Sequence, residues 1–392
     1  MCLSLLVGLK NNLPYTQHFY AETRLLYPEI EIVFVSYHST DGTHEWLDSL
    51  QDDHVKYYYE NEERTLSDTY NKCIELASSD YVLFAHNDMV LTPGFVEQLA
   101  SLQSVHRVVS YTTVEPPIFA DDERPGKIVR DFGVDIATFQ RDALFQFSQQ
   151  EQQKNSEGNR ALADSNKISF FLCAARKVLL EIGGLDPLFN PMFCEDDDLI
   201  LRLNLKGLEM VVSLNAICYH FVSKTSRFSA EYSRRTQQIE TQSNRNFIRK
   251  WGFRNNSSVK KKYDIGFVVR NGNVAILREL EPWCSTIYID TDAEAYQTEE
   301  QPRTSFDLRK KIKTLGEKKE NGIMVSVDAK KIDAGKLAQI EYLHEAIHAK
   351  LMEPKSLLSR LLAIGPPTFT WHGYRIRIID QTSYENRLIT KF

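Results

Sequence analysis

The sequence lacks any run that approaches the roughly 20 consecutive apolar residues a membrane-spanning helix requires. Its apolar start, residues 1–9, is shorter than a signal peptide and has no basic leader. A formal net charge of −6 argues against a sequence-wide role at nucleic acid or at a membrane surface. We therefore expect a cytoplasmic protein with no transmembrane segment and no nucleic-acid partner.

Cysteine is scarce and follows no pattern. No two cysteines form a Cys-x-x-Cys pair, and the six are Cys2, Cys73, Cys173, Cys194, Cys218 and Cys284. This scatter favours free thiols in a reducing compartment over a disulfide framework.

What the sequence does contain is an ordinary globular composition, 42% hydrophobic and 26% charged, over 392 residues. That length is enough for two domains. Over residues 3–112, short apolar runs alternate with segments of helical period, which predicts an α/β fold with a mainly parallel sheet flanked by helices. The predicted strands are residues 3–9, 30–36, 55–59, 80–85 and 108–112, and the predicted helices are residues 14–27, 42–50, 65–78 and 93–102.

Polar clusters follow three of these strands directly. Residues 10–12, 36–43 and 86–88 each come after an apolar run, and the last cluster is His-Asn-Asp. Any one of them could be a surface turn, since Asn and Asp are common turn residues. Because ligands bind at the carboxyl ends of parallel strands, three clusters at one predicted edge favour a binding site. Thr92 and Pro93 then predict the start of the next helix.

The pattern changes twice beyond residue 112. Residues 115–165 lose periodicity, and the polar stretch 146–160 is typical of a mobile loop, either a functional lid or a tolerated surface insertion. A basic, polar segment at 256–262 is typical of a linker, and a new strand pattern follows it. We expect residues 1–255 to form one domain and residues 263–392 a smaller accessory α/β domain.

A run of four acids, residues 195–198, begins a predicted helix. Acids near a helix start complement the macrodipole by roughly 0.3–1 kcal/mol each, which accounts for one or two of them. Four adjacent like charges repel one another, so a cation or an acceptor proton nearby explains them better. His220 and Asp88 each end a predicted strand, and a carboxylate with an imidazole suits a divalent cation that also binds diphosphate oxygens.

These motifs, in this order over about 250 residues, resemble the family-2 glycosyltransferases of the GT-A fold. Residues 33–43 resemble the family's second-strand motif, and residues 66–95 resemble the stretch through its metal-binding DXD element, here His-Asn-Asp. Residues 173–220 resemble the acceptor half, with Gly-Gly-x-Asp, Glu-Asp-x-Asp-Leu and a later His in that order. The segment 247–252 resembles one often found just after it. Two positions depart from the pattern: Ser36 stands where an Asp usually contacts the nucleobase, and the DXD element keeps only its last carboxylate, Asp88.

The resemblance implies an inverting, metal-assisted transfer of a sugar from a nucleotide-sugar donor to a hydroxyl of a glycan or glycoconjugate. It assigns Mn²⁺ or Mg²⁺ to Asp88 and His220, and the general-base role to Asp196, with Glu195 beside it. The positions it implies for donor binding are Asn11, Ser36, Asp41, Asn71, Asn87 and Asp88.

Two other functions remain open from the sequence. A degenerate fold of this kind could bind a nucleotide or glycan without chemistry, which Ser36 and the reduced DXD element favour and the intact acidic run opposes. His344-Glu345-Ala346-Ile347-His348 matches the zinc-protease pattern H-E-x-x-H, although an ordinary amphipathic helix is the better explanation. Third ligands for such a zinc site would have to come from Glu353, His372 or Glu385.

The segment 370–380 carries the most suggestive residues of the accessory domain. Alternation places Arg375 and Arg377 on the same strand face, which a buried strand would not tolerate without partners. With Trp371, His372 and Tyr374, these side chains suit stacking on sugars or pairing with phosphates. The alternative is that the domain only extends the core or forms an oligomer contact.

Overall fold

The computed structural model describes residues 3–118, 125–158, 160–164, 168–222, 234–353, 366–384 and 388–391. The chain divides into two compact units, Met1–Ile239 with Ile389–Lys391, and Glu240–Leu388. The functional boundary expected near residue 255 stays a prediction.

The first unit contains a ten-stranded sheet and seven helices among the described residues. Its strands are β1 (Leu3–Leu9), β2 (Glu31–Tyr37), β3 (Val55–Glu60), β4 (Tyr81–His86), β5 (Met89–Leu91), β6 (Arg107–Glu115), β7 (Lys127–Val129), β8 (Leu162–Asp164), β9 (Leu172–Ala175) and β10 (Glu209–His220). Its helices are α1 (Leu13–Leu26), α2 (Thr43–Ser49), α3 (Leu66–Leu76), α4 (Phe95–Leu102), α5 (Arg141–Glu157), α6 (Arg176–Ile182) and α7 (Glu195–Leu205), and α8 (Thr236–Trp251) follows them.

The main path of the sheet runs β3-β2-β1-β4-β9-β6-β10-β5. Neighbours from β3 to β4 are parallel, as are β6 and β10, whereas β9 and β5 run antiparallel to their neighbours. The predicted α/β class with a mainly parallel sheet is therefore confirmed. Because β2, β1 and β4 are adjacent and parallel, the three polar clusters lie at the same edge.

Helices cover both faces of this sheet. Along β1, Leu5 belongs to one buried cluster and Leu6 to another, so successive side chains point into separate cores. A strand buried on both faces has a continuous apolar sequence without alternation, which is why β1 was recognisable as a single run.

Two local predictions were wrong. Residues 146–160 are not a loop, because α5 continues to Glu157 and buries Leu144, Phe147 and Ser148. Only a few positions of α5 are apolar, which hid its period. Thr92 does not cap α4: Gly94 does, with a positive φ of 83°, while the Thr92 hydroxyl donates to the carbonyl of Ile217 at 2.7 Å.

The second unit is a six-stranded sheet of order β13-β12-β11-β14-β16-β15. Its strands are β11 (Ile265–Arg270), β12 (Thr286–Ile289), β13 (Ile312–Thr314), β14 (Ile323–Asp328), β15 (Thr368–Trp371) and β16 (Tyr374–Ile378). Its helices are α9 (Val274–Leu280), α10 (Glu294–Glu300), α11 (Leu308–Lys311), α12 (Ala334–Ala338) and α13 (Leu343–Met352). The predicted smaller α/β fold of this part is confirmed.

A buried ionic network lies in this unit. The Glu281 carboxylate is fully buried and pairs with Arg249 at 2.7 Å and with Lys311 at 2.7 Å. Burial acts to raise the pKa of Glu281, but the two cations hold it well below its ordinary value. Breaking such a pair leaves an uncompensated buried charge, so the network is structural.

The described cysteines are all buried and free, in agreement with the prediction of unpaired thiols; Cys2 lies outside the described residues. Among the described helices, none combines the length and the apolar character needed to cross a bilayer.

Candidate functional site

The site is built where β4 ends and the chain turns back into β5. His86 is the last residue of β4, and Asn87 and Asp88 form the turn. The short strand β5 pairs antiparallel with β10 so that Met89 lies opposite His220. This pairing, absent from the predicted elements, brings the ends of two strands that are distant in sequence to one point.

Three side chains meet there. Nε2 of His220 lies 3.4 Å from Oδ1 of Asp88, and Nδ1 of His86 lies 3.9 Å from the same oxygen. One ligand atom from each of the three lies within 4.8 Å of the others, the spacing at which a single cation could contact all of them. Sequence reasoning found Asp88 and His220 but assigned no role to His86.

The electrostatics favour a positive charge at this point. Burial alone would lower the pKa of His220, but the carboxylates of Asp88 and Glu115 raise it to about 9. Burial lowers the pKa of His86 to about 4 despite the nearby Asp88. A cation bound here would replace the proton of His220, because an imidazole ligand must be neutral at its metal-binding nitrogen.

Two further residues stand behind His220. Its Nδ1 lies 3.0 Å from Oε1 of Glu115, and Oε2 of Glu115 lies 3.3 Å from the ammonium of Lys127. Burial acts to raise the pKa of Glu115, but His220 and Lys127 hold it below its ordinary value. The sequence offered one signal for Glu115: an acid at the end of an otherwise buried strand.

A pocket of about 730 Å³ opens at the carboxyl ends of β1 and β4. Its walls include backbone and side chains of both strand ends and of the α3 start, among them Gly8, Lys10, Tyr37, Arg64, Thr65, Tyr70, His86 and Asn87. That volume includes space that is open to solvent. His86 belongs to both the pocket wall and the three-residue cluster, so the two form one site.

The predicted donor-binding residues that follow β1 and β2 are engaged in hydrogen bonds with neighbouring loops and helix starts. Asn11 Oδ1 accepts from the backbone of Thr40 at 2.7 Å, and Asp41 accepts from the backbone of Leu13 at 2.8 Å. Asp41 also accepts from the hydroxyl of Thr43 at 2.6 Å. These contacts join the first turns of α1 and α2, so their direct contact with a donor stays a prediction.

Ser36 is fully buried, and its hydroxyl contacts Nε2 of His44 at 3.0 Å and the Ser39 hydroxyl at 2.8 Å. The side chain that replaces the family's base-contacting Asp is therefore engaged with its own loop. The adjacent Tyr37, in contrast, lines the pocket.

The two predicted asparagines have internal partners as well. The side-chain amide of Asn71 donates to the backbone carbonyl of Leu185 at 2.9 Å, and its Oδ1 accepts from the backbone N–H of Leu185 at 2.8 Å. A Cβ on Gly184 would lie 2.1 Å from Asn71 Oδ1, which explains a glycine there. Asn87 is buried and donates to the Thr16 hydroxyl at 2.9 Å.

The acidic run divides into different environments at the start of α7. Asp198 forms a fully buried pair with Arg202 at 2.7 Å, and Arg202 donates to the carbonyls of Ile182 and Gly184. Asp198 is thus structural. Glu195 is buried and its Oε2 has no hydrogen-bond partner among the described residues; burial, then the charges of the following acids, raise its pKa well above the ordinary value.

Asp196 is half-buried, and its Oδ1 accepts from the backbone N–H of Asp197 at 2.9 Å. Burial is the main cause that raises the pKa of Tyr70, a residue of the pocket wall, and the charges of Asp88 and Glu195 make smaller contributions in the same direction. The two acids therefore lie within electrostatic range of one pocket-lining side chain.

The H-E-x-x-H motif does lie on a helix, α13, but its side chains are used internally. His344 contacts the Ser257 hydroxyl at 2.6 Å, and His348 contacts the Tyr263 hydroxyl at 2.7 Å. Within the part of the chain that the structure describes, the His86, Asp88 and His220 cluster is the only group of three or more side chains spaced for a metal. Glu385, one of the suggested third ligands, lies outside the described residues. The zinc-protease alternative has no structural support.

A comparison of the sequence with models of protein families tests the resemblance to the family-2 glycosyltransferases. Residues 4–175 match the profile of glycosyl transferase family 2. The resemblance inferred from the motifs is thereby confirmed over these residues. The match includes the predicted donor-binding positions and Asp88, whereas Glu195, Asp196 and His220 lie beyond its end. No curated protein matches the chain.

Solved structures similar to the chain include glycosyltransferases, at low sequence identity. The mannosyltransferase PcManGT from Pyrobaculum calidifontis, in complex with GDP-Man and Mn²⁺, has 18% identity and a TM-score of 0.41, covering 63% of this chain and 64% of its own. TarS 1–349 from S. aureus has 13% identity and a TM-score of 0.39, covering 63% and 70%. GalNAc-T7, with UDP, GalNAc and Mn²⁺, has 12% identity and a TM-score of 0.42, covering 56% and 42%. The α/β assignment itself rests on the strand order of this chain.

Proposed function

We propose that this protein is an inverting glycosyltransferase that moves a sugar from a nucleotide-sugar donor to a hydroxyl of a glycan or glycoconjugate, assisted by a divalent cation. The observation that carries the proposal is the cluster of His86, Asp88 and His220 at the wall of the pocket, in a chain that matches glycosyl transferase family 2. The free, buried cysteines support a reducing, cytoplasmic location.

The ligand atoms of His86, Asp88 and His220 fit a divalent cation. Two imidazole nitrogens and one carboxylate oxygen suit Mn²⁺ better than Mg²⁺, because Mg²⁺ prefers oxygen ligands and retained water. When bound, such a cation would neutralise the charge that develops on the departing diphosphate. Lys10 in the pocket wall would add positive charge near the phosphates, as would Arg64, which also pairs with Glu60 and Glu62.

Asp196 would act as the general base. The acceptor oxygen forms its bond to the anomeric carbon as the bond from that carbon to the diphosphate oxygen breaks, and the hydroxyl proton passes to Asp196. A single displacement of this kind inverts the anomeric centre. Burial raises the pKa of Glu195, which disfavours a second negative charge beside the base.

Nucleobase recognition would fall to Tyr37 and not to Ser36. The Ser36 hydroxyl is buried within its loop, whereas the aromatic residue Tyr37 is part of the pocket wall.

The binding-only alternative has one observation in its favour. Asn11, Asp41 and Asn71 already have internal hydrogen-bond partners, so little of their capacity remains for a donor. Under this alternative, the protein would bind a nucleotide or glycan without catalysing any reaction.

Calorimetry with UDP and GDP, each with and without Mn²⁺, tests the donor side. We expect one nucleotide to bind measurably tighter when Mn²⁺ is present, because a cation held by His86, Asp88 and His220 would offset the negative charge of the diphosphate. If neither nucleotide binds under any condition, both the transferase proposal and the nucleotide-binding alternative fail.

We also propose that the second unit assists acceptor recognition. Arg375 and Arg377 are exposed on β16 while Tyr374, Ile376 and Ile378 are buried, as strand alternation predicts. Among the described residues neither arginine has a carboxylate within ion-pair distance, although many other exposed arginines do. Thr368 and Thr370 lie opposite them on β15. This face offers two guanidinium groups to a phosphate- or carboxylate-bearing acceptor.

The double variant Arg375→Gln/Arg377→Gln should raise the acceptor KM by about tenfold or more, since hydrogen bonds to charged groups contribute roughly 1.5–3 kcal/mol each. The donor KM and the rate of donor hydrolysis should not change. Arg309→Gln, which removes an exposed arginine of the same unit, is the control. An unchanged acceptor KM in the double variant would refute this role.

A further inference from the structure

Three buried side chains form a row: Lys127 contacts Glu115, and Glu115 contacts His220, which belongs to the candidate metal cluster. Building on the proposed metal-assisted function, we propose that Glu115 and Lys127 are positioning residues that orient His220 for metal binding.

Three strands hold this row. Glu115 ends β6, which is flanked by β10 on one side and by β7 on the other. His220 ends β10, and Lys127 begins β7. Side chains held by three paired strands therefore converge, the kind of support that fixes a ligand's geometry.

Glu115 does not itself belong to the ligand set. Its Oε1 lies 3.0 Å from Nδ1 of His220, and its Oε2 lies 3.3 Å from the ammonium of Lys127. Both oxygens are therefore engaged away from Asp88 and His86. The side chains of Glu115 and Lys127 are only 6% and 3% exposed, so water does not compete for these contacts.

The chemical consequence concerns the tautomer of His220. When Nδ1–H donates to the Glu115 carboxylate, the lone pair of the neutral ring lies on Nε2, the nitrogen that faces Asp88. A carboxylate behind a ligating histidine also makes the ring a stronger ligand. Lys127 compensates the charge of the buried Glu115 carboxylate.

Mn²⁺ affinity, measured by electron paramagnetic resonance on the full chain without any donor, tests the proposal. Glu115→Ala should weaken Mn²⁺ binding by about 10–100-fold, the usual cost of losing such an outer partner. Glu115→Gln keeps an oxygen that can accept from Nδ1–H, so it should recover most of that loss. Glu22→Ala is the control, since Glu22 pairs with Arg141 in the same unit and should leave the affinity unchanged.

Glu115→Ala leaves the buried Lys127 ammonium without this carboxylate and could unfold the protein. The double variant Glu115→Ala/Lys127→Ala removes both charges, and it should fold and still bind Mn²⁺ about 10–100-fold more weakly. Wild-type affinity in a folded Glu115→Ala or double variant, or no recovery in Glu115→Gln, would overturn the positioning role while leaving the transferase proposal intact. If the wild-type protein binds no Mn²⁺ at all, the metal-assisted function itself fails, and the inference with it.

Discussion

Replacing Asp196 by Asn should lower sugar transfer by roughly a hundredfold or more, the range expected when a general base is lost. The amide has nearly the shape of the carboxylate but cannot accept the acceptor's proton. Donor binding in the presence of Mn²⁺ should be retained, because Asp196 is not part of the metal cluster. Steady-state rates with saturating donor, together with calorimetry for the donor, separate the two effects.

Asp197→Asn is the matched control. Asp197 is the next residue of α7 and carries the same charge, so it tests whether charge at this helix start is what matters. We expect it to retain most of the activity. Equal losses in both variants would mean that the acidic run acts through its total charge, and Asp196 would lose its assigned role.

Replacing Asp88 by Ala should weaken Mn²⁺ binding by about a hundredfold or more, since losing even an outer-shell partner costs 10–100-fold. Asp88 supplies the cluster's one carboxylate, and its oxygen lies near both histidines. Nucleotide binding should lose its dependence on Mn²⁺. Electron paramagnetic resonance for the metal and calorimetry for the nucleotide give the two readouts.

Asp53→Ala, at an exposed aspartate of the same unit, controls for the loss of one negative charge. A melting curve checks that Asp88→Ala, at a buried position, is folded. Undiminished Mn²⁺ binding in a folded Asp88→Ala protein would show that the metal, if any, binds elsewhere.

The fold was largely predictable because its central strands are buried on both faces. β1, β2 and β4 appear in the sequence as continuous apolar runs, and the helices between them carry a clear period. The elements that escaped were those whose signal is weak: β5 has only three residues, and α5 is polar over most of its surface. Their existence depends on tertiary contacts that no local pattern displays.

The site was predictable only in its outline. Residues at strand ends, Asp88 and His220 among them, could be placed at one edge because parallel strands share an edge. His86, Glu115 and Lys127 could not be assigned, since their roles arise from the β5–β10 pairing and from the position of β7 beside β6. Residues with internal partners, such as Asn71, could not be separated from ligand-binding ones by sequence alone.

Turnover of a panel of UDP- and GDP-linked sugars, with and without Mn²⁺, tests the central claim most directly. Release of the nucleoside diphosphate and the mass of any product identify donor hydrolysis and transfer. We predict that at least one donor is consumed, that consumption depends on the cation, and that transfer is lost in Asp196→Asn. Tight nucleotide binding with no consumption of any donor would contradict the enzyme and leave a binding protein in its place.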